Sequence, residues 1–121
     1  MLYISLNNKS HEYVPGASVE GAAGWIEQTP PERACVRLYW YTDGASDWVE
    51  RGFADEFVFH SDDRDFEIAF SLRLPSGPYS FSGRLVTIRW LVELFMNDGA
   101  ESGRVLIFMS PSTEESHVGG F

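Results

Sequence analysis

Cysteine is almost absent from this chain: Cys35 stands alone, so no internal disulfide can form and packing must hold the fold. Its place at the start of an apolar strand reads as a buried structural thiol rather than a reactive one. Basic residues are scarce too, nine Lys and Arg against eighteen Asp and Glu, and the resulting net charge of −9 removes the footprint expected of a nucleic-acid or anionic-membrane partner. No apolar run approaches the ~20 residues that cross a bilayer. Met1–Leu6 lacks the basic start and long apolar centre of a secretory signal, which leads us to expect a cytoplasmic protein. Helical periodicity is not sustained anywhere, and there is no internal repeat.

Catalytic signatures are missing as well. The histidines, His11, His60 and His117, have no HExxH spacing and no neighbouring cysteine pair, there is no Gly-x-Ser-x-Gly elbow, and Gly119-Gly120 is no phosphate loop. The chain reads as a non-enzyme that needs no cofactor.

Aromatic and apolar residues, 15% and 44% of the chain, are too many for disorder, and they alternate with polar ones. Phe66, Ile68, Phe70 and Leu72 face one way while Asp65, Glu67, Ala69 and Ser71 face the other, the period of a half-buried strand. Val86, Ile88, Trp90, Val92 and Leu94 repeat the pattern, and the opposite face of that strand, where Thr87, Arg89 and Glu93 alternate with Leu91 and Phe95, reads as mostly wet. Further strands are expected at Leu2–Leu6, Glu12–Val14, Ser18–Ile26, Ala34–Tyr41 and Val105–Met109. One or two short strands between Trp48 and Phe59 are broken at Gly52 and at Asp55-Glu56. Asp43-Gly44 signals a turn, Pro30-Pro31 a connection between sheets, and Asn97 to Gly103 a loop. Strands at roughly ten-residue intervals imply an all-β protein, an antiparallel immunoglobulin-like β-sandwich of about seven to eight strands, formed by residues 1–111, with 112–121 as a flexible tail.

Three segments carry a family resemblance. The run from Phe66 to Leu94, a strand ending in Leu74-Pro75, then the Ser80-Phe81-Ser82-Gly83-Arg84 corner, then Ile88-Arg89-Trp90, resembles the arrestin N-terminal domain. Tyr13 to Gly21 is similar to an arrestin turn entering the next strand, with Ala17 where the family prefers an acidic residue, and Val36 to Gly44 is similar to the strand that follows. The resemblance covers roughly residues 12 to 95. It implies a single-domain, arrestin N-domain-like sandwich acting as a scaffold or protein-interaction module. Pro30-Pro31-Glu32-Arg33 does not complete a Pro-Pro-x-Tyr ligase-recruiting motif, and the sequence shows no basic phosphate-sensing cluster, so those family functions do not carry over.

For a protein partner, or a second copy of the chain, the candidate contacts are Asp43, Asp47 and Trp48 in one loop, with Asp47 where the family often has an acidic residue, and Trp25 near a strand end. The alternative is a small-ligand, sugar or metal-binding sandwich. It would use Trp25, Trp48 and the loop bearing His60, Asp62, Asp63 and Asp65, because closely spaced carboxylates are what hard cations require.

Overall fold

Alternation of apolar and polar residues buries one face of most strands, and two such sheets close on each other. The computed structural model describes residues 1–29, 31, 33–44, 50–83, 86–96 and 101–111. Among these there is no helix, hence none long and apolar enough to cross a membrane. The strands are β1 (Leu2–Leu6), β2 (Glu12–Tyr13), β3 (Ser18–Ile26), β4 (Ala34–Gly44), β5 (Arg51–Phe59), β6 (Asp65–Arg73), β7 (Phe81–Ser82), β8 (Val86–Met96) and β9 (Glu101–Met109). A smaller sheet has the order β1-β3-β6, and a larger one β2-β9-β8-β4-β5, with β7 paired to β8. Pairing is antiparallel except between β2 and β9, which run parallel. The all-β sandwich expected from the sequence is thus present, and the strand that the sequence did not announce is the two-residue piece β7, at the expected Ser80–Arg84 corner.

The core lies between the sheets. Phe70 and Leu72 of β6 meet Val36 and Leu38 of β4, Trp90, Val92 and Leu94 of β8, and Ile107 and Met109 of β9, all of them buried. Removing each such side chain from water contributes ~1.5–3 kcal/mol before entropy is counted. Trp25 closes one end, stacked on Phe59 at 5.7 Å and tilted against Phe66 at 5.1 Å. Pro31 is buried in the connection that carries the chain from β3 in one sheet to β4 in the other, as the proline pair predicts.

Several local expectations are corrected. Asp43 and Gly44 do not turn: they extend β4, paired with Thr87 and Val86. β5 is one strand rather than two, because Gly52 lies against the Trp40 indole, where an added Cβ would collide, and so is required by packing instead of ending the strand. Asp55 sits beside a bulge opposite Leu38 and Tyr39. Its carboxylate accepts the Arg73 backbone N–H at 2.9 Å, which stitches the larger sheet to the smaller across an open edge. Gly103 lies within β9, paired with Leu94. The second face of β8 is not wet, since Leu91 and Glu93 are buried on it. The tail 112–121 lies outside the described residues.

Candidate functional site

The covered second face of β8 leads to the site. β8 and β4 are central strands, so residues of one parity on four adjacent strands share the outer surface of the larger sheet. Across it runs a row of alternating charge, Glu56 on β5, Arg37 on β4, Glu93 on β8 and Arg104 on β9, each paired in register with the next. The adjacent row is apolar and aromatic: Phe53, Tyr39, Leu91 and Leu106. Cross-strand neighbours of these kinds stabilise a sheet by a few tenths to ~1 kcal/mol per pair.

Glu93 is only 7% exposed. A buried carboxylate must be hydrogen-bonded, and the Tyr39 hydroxyl donates to it at 2.6 Å. Burial first, and then this bond to the Glu93 carboxylate, push the Tyr39 phenol up to about 12, against the opposing pull of Arg104 and Arg51. Arg37 donates to Glu56 at 3.2 Å and lies over the Phe95 ring, 5.2 Å from its centroid, a cation–π contact. Apart from Glu56, these side chains line an open, shallow depression of about 460 Å³.

Exposed apolar side chains share this face. Phe53 is 63% exposed, Val58 45% and Phe108 50%, and by strand parity all three belong to this outer face. Beyond Leu106 and Phe108 lies a second hollow of about 390 Å³, which includes Arg89 and Phe81. The Nε of Arg89 is buried and has no hydrogen-bond partner among the described residues. Cys35 shares the outer face, opposite Val58 and Phe95, and is only partly buried, not the core thiol expected. Desolvation pushes its thiol up, which keeps it protonated near neutral pH and unsuited to nucleophilic work.

The expected site residues fare unevenly. Asp43 is exposed at the end of β4, on the parity of this outer face, whereas Asp47 and Trp48 lie outside the described residues. Trp25 is not a contact residue: it is 0% exposed, and its indole N–H donates to the Asp63 carbonyl at 2.9 Å. That bond explains the correction, because the ring that looked terminal in sequence caps the core and ties down the His60–Asp65 loop. In that loop His60 Nε2 lies 3.1 Å from Asp62 Oδ1, and the Ser61 hydroxyl accepts the Asp63 N–H at 3.1 Å. Among the described residues no three His, Cys, Asp or Glu side chains converge as metal ligands do. A ligand site built on Trp25 and this loop therefore loses its aromatic wall.

The fold has a counterpart among solved structures. The sandwich resembles Spo0M, a sporulation control protein from Bacillus subtilis with an arrestin-like fold. The likeness has a TM-score of 0.55 at 18% identity, covers 90% of this chain and 48% of that one, and establishes the fold alone. This chain spans about half the length of that structure. A fainter likeness, TM-score 0.44 at 10% identity, covers 91% of this chain and 80% of a superoxide reductase (neelaredoxin) from Ignicoccus hospitalis, and nothing follows from it. No family model matches the chain, and no curated protein sequence matches it.

The outer face escaped the sequence reading for a definite reason. Arg37, Tyr39, Phe53, Glu93 and Arg104 come from four strands, and only register brings them together. One signal pointed there: Leu91 and Phe95 interrupt the polar positions of β8, which marks a strand covered on both faces.

Proposed function

We propose that the chain is a non-catalytic protein-interaction module that binds its partner on the outer face of the larger sheet. The observation that carries this reading is the exposure of Phe53 and Phe108 on either side of the buried Glu93 centre. Aromatic anchors around a desolvated polar group are how protein contacts concentrate binding energy, and contiguous exposed apolar surface on a small protein marks such contacts. The face offers hydrogen-bonding and stacking groups, while the one thiol on it is held protonated. Asp43, on the same parity, with Asp47 and Trp48 next along the chain, extends the proposed contact toward one end of the sheet. A fold shared with a sporulation control protein is consistent with a regulatory scaffold, and the cytoplasm, where a lone thiol stays reduced, is the proposed setting.

The test is affinity capture from the native cells with the wild-type chain and with Phe53→Asp/Phe108→Asp. Both positions are well exposed, so the variant should keep its circular dichroism and unfolding midpoint. A stoichiometric protein captured by the wild type and lost with the variant supports the reading. A partner held equally by both proteins places the contact elsewhere.

A further inference from the structure

Positive charge is concentrated on this face. The chain carries −9 overall, yet the depression is bordered by three guanidinium groups, those of Arg37, Arg51 and Arg104, and a single carboxylate, Glu93. Glu93 is bonded to the Tyr39 hydroxyl and Arg37 to Glu56. Arg51 and Arg104 have no ion-pair or hydrogen-bond partner among the described residues. Both lie near enough to Tyr39 to pull its phenol toward the ionised form. Two donor forks therefore border the same shallow hollow with no acceptor bonded to them among the described residues.

We propose that the depression takes a carboxylate side chain from an acidic, extended peptide segment of a partner protein, gripped by Arg51 and Arg104 while Phe53 and Phe95 pack against its stem. This rests on the protein-contact reading above and specifies its chemistry. Planar guanidinium forks match a carboxylate bidentately. A single carboxylate also suits the site better than a doubly charged phosphate, because Glu93 in the floor repels the second negative charge. A peptide fits better than a small molecule: the hollow is open, and exposed aromatics on the same sheet face leave a path for chain on either side. The acidic surface elsewhere repels an acidic segment, so the arginine-bordered hollow is where such a segment is accepted, and the repulsion itself enforces the pose.

The experiment selects a random displayed peptide library on the immobilised wild-type chain, with counter-selection on Arg51→Ala/Arg104→Ala. Enriched peptides are expected to share an Asp or Glu at a fixed position. A synthetic peptide from that set should lose about tenfold in affinity with either single arginine variant, and about as much when its own Glu becomes Gln. Enriched peptides with no fixed acidic position, or affinity indifferent to Arg51 and Arg104, overturn the inference. So does tighter binding of a phosphoserine version than of the Glu version. A neutral peptide whose binding is lost with Phe53→Asp overturns only the carboxylate and leaves the face as the contact. If nothing is enriched, both the inference and the protein-contact reading lose ground.

Discussion

The Tyr39 hydroxyl donates a 2.6 Å hydrogen bond to Glu93 on the neighbouring strand, and this bond lets a carboxylate sit buried in the middle of an outer sheet surface. It links the fold to the proposed site, since the same pair forms the floor between Arg51 and Arg104.

Tyr39→Phe removes the donor and strands a buried acceptor, so it should cost about 1–3 kcal/mol at neutral pH. The cost also depends on pH in a defined sense. The phenol is pushed up to about 12 in the fold, whereas an unfolded tyrosine ionises near ~10. The fold holds the proton more tightly, so the contribution is complete below ~10 and fades as pH rises toward the folded value. Tyr3 and Tyr13 are also pushed up by burial, and they act equally in both proteins. Urea unfolding of wild type and variant at neutral and strongly alkaline pH should show the gap between them narrowing above ~10. A gap that is constant across this range would mean the bond does not form.

Gly52 lies where any side chain would run into the Trp40 indole. Gly52→Ala should cost about 1–3 kcal/mol through overpacking. In a Trp40→Ala background the same change should cost far less, and the coupling is read from a double-mutant cycle of urea midpoints. Equal cost in both backgrounds would place the strain elsewhere.

Trp25 caps the core against Phe59 and Phe66. Trp25→Ala should lose about 3–5 kcal/mol. Trp25→Phe should lose less, yet still free the Asp63 carbonyl from its 2.9 Å donor. Hydrogen exchange in the His60–Asp65 loop should accelerate in the Phe variant, an effect that loss of ring volume alone would not give.

Asp55 connects the sheets through the Arg73 N–H. Asp55→Ala should cost about 1 kcal/mol and raise amide exchange at Arg73. Unchanged exchange there would show that other β5–β6 contacts hold this edge.

How far the residues alone reveal this architecture depends on whether the information is local. Alternation in β6 is legible because one of its faces meets the core. Asp43-Gly44 and Gly52 misled because a glycine's local signal is the same whether it turns the chain or makes room for an indole. Trp25 misled because its burial depends on Phe59 and Phe66, distant in sequence. The charge row Glu56, Arg37, Glu93, Arg104 is invisible until register is known, since its members stand on four strands with no common spacing.

The central claim is that a protein partner covers the outer face of the larger sheet, and hydroxyl-radical side-chain footprinting of the captured complex tests it most directly. The account predicts reduced oxidation at Phe53, Phe108 and Tyr39 on binding, with Tyr79 unchanged as an exposed aromatic on the connection between β6 and β7. Protection confined to Tyr79 or the His60 loop, with Phe53 and Phe108 oxidised as in the free chain, would contradict it.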